Sequence, residues 1–424
     1  MRCTPLTFLL AGFGWLLLAA LGGVASLVGL VQGTPLPTWL RPVHTHGALV
    51  GGLLQLALGG LLASAAKSSD SKKSASHTAL FISFNIATAA LIFCLGYRQG
   101  TLTGLAGLLL FGLVLSQARM AFARLQESLA GPTTPGWVLT LSFGALLAGL
   151  TIGVAMPFGL IPEYYAHARL AHIHLLLFGF STMIGVAVIH RLLPEVFAVA
   201  LSSSMIGRIV TMAMVAGSLA LLGGFLTSSL KFELGIGALL ILAAAFFITN
   251  LFRTWLRSPE PGSAAGDHLL IAGLFLLFTI VTGTFMGANY LTDSPMFPIG
   301  SLHLAAYTHM ALIGFLVNVV LGAISYGLPT LLAEHRIPQT KKRQAYVAQL
   351  TGLLNRWRAL PLVGMSLGTM GLAVIASMTW SHPLGSLAVR TATWVSAGLL
   401  VIGFAAFAAK LTWALGQKPS DPSA

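Results

Sequence analysis

Apolar residues fill this chain in long runs that short polar gaps separate. The runs approach or exceed the roughly 20 residues that an α-helix needs to cross the hydrocarbon core of a bilayer. They predict twelve membrane spans, which we number 1 to 12, at residues 6–31, 43–65, 78–96, 101–123, 137–158, 170–193, 205–229, 233–254, 268–290, 303–331, 360–379 and 389–412. The pattern therefore predicts an all-α membrane protein with one transmembrane domain over residues 1–424, ending in a short polar tail at 413–424.

The composition supports this prediction and changes how the charge is interpreted. Hydrophobic residues make up 56% of the 424 residues and charged residues only 8%, whereas a soluble chain carries about a quarter charged residues. The net charge of +13 comes from basic residues in the gaps between apolar runs, which is the pattern of membrane topology. We therefore expect a lipid bilayer around the chain and no nucleic-acid partner.

The distribution of Lys and Arg predicts which ends of the spans face the cytoplasm. With twelve spans and a cytoplasmic N-terminus, all but five of the 23 basic residues fall on the cytoplasmic side. The five on the outer side are Arg41, Arg98, Arg169, Lys231 and Arg390. Because basic residues concentrate in cytoplasmic loops, both termini are predicted to be cytoplasmic.

Three spans contain a similar histidine segment. These are RPVHTHGALVGG in span 2, RLAHIHLLLFGFSTMIGVAVIHRLLPE in span 6 and LHLAAYTHMALIGFLVNVVLGAISYGLPT in span 10. In each, a His is followed five residues later by Gly, at His46 and Gly51, His174 and Gly179, and His309 and Gly314. In spans 6 and 10 a Phe follows the Gly, and a Pro lies twenty residues after the His. The histidine segments occur on every fourth span, which predicts a four-helix repeat used three times.

The repeated histidines would lie at one depth near the outer face. A neutral imidazole is a common ligand of metals and of haem iron, and the nearby glycines would let a bulky flat group approach the helix backbone. The alternative is that these histidines make helix–helix hydrogen bonds, as isolated membrane histidines often do. His190, at the inner end of span 6, is predicted to be interfacial, and His268 is placed at a span end.

Helix geometry limits which histidines can act together. At about 100° per residue, His44 and His46 point in nearly opposite directions, and so do His172 and His174. Only one member of each pair can face a given partner. His303 precedes His309 by six residues and could address a different neighbour.

With these segments, the chain resembles the catalytic subunit of the haem-copper oxidase superfamily. The pattern AHIHLLLFGF…RLLPEVF is similar to relatives of cytochrome-c-linked oxidases, nitric oxide reductases and NnrS-type proteins. The resemblance implies three pseudo-symmetric four-helix arcs, a b-type haem, possible copper, and location in a bacterial inner membrane. A cytochrome c or another membrane subunit would be the electron donor. Against the family's pattern, span 7 contains no His, so a complete copper site is not expected.

The resemblance leads to specific site predictions. His46 and His309 are expected to ligate one haem iron between two imidazoles, with Arg41 near a propionate and with Gly47, Gly51, Gly52 and Gly314 leaving room for the macrocycle. His174 or His172 would hold copper or a second haem. The competing ligand assignment is His44 and His303. Two other functions stay open: a secondary transporter or channel that uses membrane histidines, and a structural subunit that has lost its cofactors.

Overall fold

The computed structural model describes residues 4–65, 71–259, 262–291, 294–337 and 339–419. Helix accounts for 83% of the chain, and the described residues contain no β-strand. The helices are α1 (Pro5–Gln32), α2 (Leu40–His46, Gly47–Leu54 and Gln55–Ala65), α3 (Ser71–Gly96), α4 (Gly100–Leu129), α5 (Gly136–Ala155), α6 (Tyr165–Val196), α7 (Ser204–Thr227), α8 (Leu230–Trp255), α9 (Ala264–Ala288), α10 (Ser301–Arg336), α11 (Thr340–Asn355), α12 (Ala359–Met378) and α13 (Leu387–Gly416). The predicted all-α class is confirmed.

Every predicted span corresponds to a helix. Among the described residues, ten helices are long and apolar enough to cross a membrane, namely α1, α3, α5 to α10, α12 and α13. The chain is therefore compatible with a multi-pass membrane protein that contacts lipid. The count of twelve, which also requires α2 and α4 to cross, stays a prediction, as does the orientation of the termini. The predicted polar tail starts within α13, which continues to Gly416, and residues 420–424 lie outside the described part.

The helices group into two compact units. The first contains residues 1–187 and 211–236, and the second contains residues 188–210 and 237–424. In the first unit α1 packs on α2, and α3, α4, α5 and α6 pack in sequence order. In the second unit α9 packs on α10, α10 packs on α11 and α12, and α12 packs on α13. The single transmembrane domain and the three arcs stay predictions.

Small residues let neighbouring helices approach closely. A Cβ placed on Gly364 of α12 would lie 2.9 Å from the Cα of Gly403 on α13. One turn further along, the hydroxyl of Ser396 donates to the carbonyl of Gly368 at 2.6 Å. Since the bilayer supplies no hydrophobic force between helices, such close contact and interhelical hydrogen bonds hold this pair together.

Candidate functional site

The three histidine-bearing helices share an unusual backbone. Directly after His46, His174 and His309, the helix changes from α to π geometry for eight residues, at Gly47–Leu54, Leu175–Thr182 and Met310–Val317. Segments of π-helix are rare, and they are frequent at functional sites. The repeat read from the sequence is therefore also a repeat of local structure.

Polar side chains support the wider π turns in α6 and α10. The hydroxyls of Ser181 and Thr182 each donate to the carbonyl five residues earlier, at 2.8 Å. The amide of Asn318 donates to the carbonyls of Ile313 at 3.1 Å and Gly314 at 2.9 Å. Each of these bonds ties a side chain to the backbone of the π segment.

The repeated histidines make one and the same hydrogen bond. Nδ1 of His46 lies 2.8 Å from the carbonyl of Pro42, that of His174 lies 2.9 Å from Leu170, and that of His309 lies 2.7 Å from Ala305. Each partner is the carbonyl four residues earlier. Because a carbonyl only accepts, Nδ1 must carry the proton of the neutral ring, and the lone pair lies on Nε2. This arrangement is typical of histidines that bind a metal through Nε2.

The first histidine of each pair has a different role. Nδ1 of His44 donates to the carbonyl of Ala19 on α1 at 2.6 Å, and Nδ1 of His172 donates to the carbonyl of Gly149 on α5 at 2.8 Å. In the third repeat, the residue two positions before His309 is Tyr307, which packs on Gly283 of the preceding helix. His44 and His172 therefore make the helix–helix hydrogen bonds that the sequence analysis considered as an alternative.

Glycines on the preceding helices accommodate these aromatic rings. A Cβ on Gly23 would lie 2.8 Å from Cε1 of His44, and a Cβ on Gly153 would lie 2.6 Å from Cε1 of His172. A Cβ on Gly283 would lie 2.8 Å from the ring of Tyr307. Each ring is thus seated on a neighbouring helix.

His303 is fixed at the start of α10. Its Nδ1 accepts the backbone N–H of Gly300 at 3.1 Å, so Nε2 must carry the proton of the neutral ring. The ring stacks on Trp380 with centroids 5.3 Å apart and an interplanar angle of 17°. This bond satisfies an N-terminal helix donor, and ligation through Nε2 would require the proton to move.

The glycines of the π segments face protein side chains. A Cβ on Gly51 would lie 2.6 Å from the Trp15 ring, and one on Gly52 would lie 2.5 Å from the side chain of Leu16. A Cβ on Gly314 would collide with Phe275, whereas Gly47 has only ordinary contacts at 3.8 Å or more. For Gly51, Gly52 and Gly314, the expectation that the glycine makes room for a bulky flat group is wrong. They are small because the preceding helix packs directly against them.

The predicted ligands belong to two different units. His44, His46, His172 and His174 belong to the first unit, together with the exposed Arg41. Within it, the ring of His174 contacts that of Phe225, with centroids 4.4 Å apart. His303 and His309 belong to the second unit. The sharing of one haem by His46 and His309 stays a prediction.

The described residues contain no group of three or more His, Cys, Asp or Glu side chains that could hold a metal ion. Helix α7 contains no His, as expected from the sequence. A copper ion held by His174 or His172 stays a prediction.

Sequence reasoning missed a buried polar contact in the second unit. Nδ1 of His268 lies 2.6 Å from Oδ1 of Asn318, and both side chains are buried. Asn318 follows His309 by nine residues, at the end of the π segment, and Gln55 follows His46 at the same spacing. That recurrence of a polar amide was the signal in the sequence. The ring of His190 is buried against Phe247, and its interfacial depth in the membrane stays a prediction.

Comparison with known protein families gives no matching family, and comparison with curated proteins gives no matching sequence.

Proposed function

We propose that this chain is a haem-binding integral membrane protein that acts in electron transfer or in respiratory chemistry of nitric oxide or oxygen. The observation that supports the proposal is the shared hydrogen bond of His46, His174 and His309. In each, the bond from Nδ1 to the helix's own carbonyl fixes the tautomer that presents Nε2 as a lone-pair donor. The recurrence at three equivalent helix positions favours a common chemical use.

The proposed iron ligands are His46 and His309, and His174 is a further candidate. A bound haem would supply one-electron redox chemistry, and the protein would contribute its axial imidazoles and the polarity around them. His44 and His172 share this tautomer, but their rings, Nε2 included, pack against Gly23 and Gly153 of the preceding helix, which makes them weaker candidates. His303 is weaker because its Nδ1 accepts a backbone N–H, so that Nε2 carries the proton. Arg41, exposed at the start of α2, could pair with a propionate. A copper ion at His174 or His172, without a complete copper site, belongs to the same proposal.

The finer topology belongs to the same proposal. Twelve spans with both termini in the cytoplasm place all but five basic residues on the inner side, and the helices found for all twelve runs support this arrangement. A bacterial inner membrane and a cytochrome c or membrane-subunit electron donor follow only from the resemblance to haem-copper oxidases.

An optical spectrum tests the proposal directly. The full chain is expressed with a haem supply, purified, and recorded as reduced-minus-oxidised spectra at matched protein concentration. We expect a haem signal in the wild type, its loss in His46→Ala and in His309→Ala, and its retention in the matched controls His44→Ala and His303→Ala. A wild type without haem refutes the proposal and leaves the transporter and structural-subunit alternatives. An unchanged spectrum in either of the first two variants moves the ligand role to another residue.

A further inference from the structure

Helix α11 lies at one end of the membrane-spanning helices of the second unit. It is not among the helices that could cross a membrane, and it connects α10 to α12, which are. Its side chain Tyr346 donates to the carbonyl of Gln417, just beyond the end of α13, at 2.8 Å. Arg336, at the end of α10, also bonds to Gln417 and donates to Leu415 at 2.6 Å. The helix is thus held at the ends of α10 and α13.

The buried face of α11 is narrow and apolar. Tyr346, Leu350 and Leu354 are buried and lie four residues apart, which is one stripe along a helix. The opposite face is exposed, and the first turn carries Lys341 and Lys342, the former exposed and the latter half-buried. The apolar stripe therefore packs on the protein, and the basic residues of the first turn lie away from it on the exposed side.

Aromatic residues next to α11 fix its depth. The guanidinium of Arg356 lies 4.5 Å from the ring centroid of Trp357 and 5.5 Å from that of Trp413. Both Trp side chains are partly exposed, at 63% and 41%. Because Trp and Arg together favour the headgroup level of a bilayer, this cluster places α11 beside the lipid headgroups.

Basic residues outnumber acidic residues at this end of the unit, where Glu334 and Asp267 are nearby carboxylates. Residues 335–420 contain no Asp or Glu. Two of the nearby cations have structural partners: Arg336 binds the carbonyls at the end of α13, and Arg358 pairs with Asp267 at 3.0 Å. Four further basic residues, Lys341, Lys342, Arg343 and Arg356, lie between α10 and α12. Basic clusters directly beside a membrane span attract anionic lipid.

An open groove of about 640 Å³ separates α11 from the end of α10. Polar groups suited to a phosphate ester line it, namely Thr330, Thr340, Gln344, Thr351 and Arg343. Arg343 also donates from Nε to the carbonyl of Ile337 at 2.8 Å, which holds its side chain at the groove. Glu334 is the one carboxylate among the lining residues.

From this charge and this groove we infer that α11 is an interfacial helix that binds the headgroup of an anionic phospholipid. The phosphate would lie in the groove between α10 and α11, and Lys341 and Lys342 would supply the surrounding positive charge. The inference does not depend on the proposed haem, since none of these residues is a proposed haem ligand.

The test is lipid binding by the purified full chain in detergent, measured by native mass spectrometry. Phosphatidylglycerol is titrated against phosphatidylcholine and phosphatidylethanolamine with the same acyl chains. The variant is Lys341→Gln with Lys342→Gln, and its matched control is Lys231→Gln with Arg390→Gln, which removes two exposed cations elsewhere. Since one basic residue near an anionic surface contributes about a fivefold factor, we expect phosphatidylglycerol binding to weaken by about 25-fold in the variant at low salt.

We expect the control to bind phosphatidylglycerol like the wild type, and the preference to shrink at high salt because exposed charges are screened. An unfolding midpoint equal to that of the wild type shows that the variant is folded. Equal binding of phosphatidylglycerol and phosphatidylcholine by the wild type overturns the inference, as does an equal loss in the control. Stronger binding of phosphatidylethanolamine would also overturn it, because Glu334 would then select a headgroup ammonium.

Discussion

Nδ1 of His268 on α9 donates to Oδ1 of Asn318 on α10 across 2.6 Å. The amide nitrogen of Asn318 in turn donates to the carbonyls of Ile313 and Gly314 within the π segment that follows His309. One buried amide therefore connects a neighbouring helix to the backbone directly below a proposed ligand. Through Asn318, the π segment of α10 is held against α9.

Removing this amide should destabilise the protein. Asn318→Ala leaves the buried Nδ1–H of His268 and the two π-segment carbonyls without their side-chain partner, and such a loss costs about 1–3 kcal/mol. The measurement is unfolding of the purified protein in mixed detergent micelles, followed by tryptophan fluorescence. The double variant His268→Phe with Asn318→Leu removes both polar partners and should lose less than the two single changes combined. Additive losses would contradict the contact.

The glycine in the π segment of α10 should tolerate no side chain. Gly314→Ala places a methyl group against Phe275, and overpacking of this kind costs about 1–3 kcal/mol. The control is Gly327→Ala, further along the same helix, where a Cβ would meet nothing within 4 Å. We expect the control to be neutral or slightly stabilised in the same unfolding assay. Equal effects of the two changes would show that Phe275 does not pack on Gly314.

His44 should behave as a packing residue. Its ring donates to the carbonyl of Ala19 and rests on Gly23, so His44→Ala should reduce stability by about 1–3 kcal/mol and keep any haem signal. His46→Ala should show the opposite result, because the hydrogen bond of the His46 ring to Pro42 stays within its own helix turn. Spectra and unfolding midpoints of both variants give the answer. A lost haem signal in His44→Ala with a normal midpoint would reverse these roles.

Reporter fusions test the twelve-span topology. A fusion within residues 332–359 should report a cytoplasmic location, because six basic residues fall in that segment, and a fusion near Arg41 should report a periplasmic one. Both fusions reporting the same side would rule out the twelve-span count. A control fusion near Arg390 should agree with the one near Arg41.

The isolated chain should not reduce oxygen steadily. With no His on α7, copper would have at most His172 and His174 as imidazole ligands, which is too few for a three-coordinate site. Oxygen consumption with a reduced donor, measured at an electrode, should stay at the level of an equal concentration of free haem. Sustained uptake above that level would contradict the prediction. The matched sample is His174→Ala, which should show the same background.

The sequence by itself determined the helices and the repeat. Each apolar run is long enough to form a helix in lipid, because every backbone N–H and C=O there must be hydrogen-bonded within its own segment. The recurrence of His46, His174 and His309 in spans 2, 6 and 10 was likewise visible as residue types and spacing. Helix α11 was missed because only Tyr346, Leu350 and Leu354 mark its apolar stripe within an otherwise polar gap.

The tertiary structure alone decided what the repeated residues do. The sequence places His44 and His46 two residues apart and cannot say which ring reaches another helix, because that depends on the position of Ala19 on α1. The same holds for Gly314. The sequence suggested room for a macrocycle there, whereas the structure places Phe275 directly against it. Ring tautomers and close packing are set by atoms far away along the chain, and hydrophobic periodicity carries no information about them.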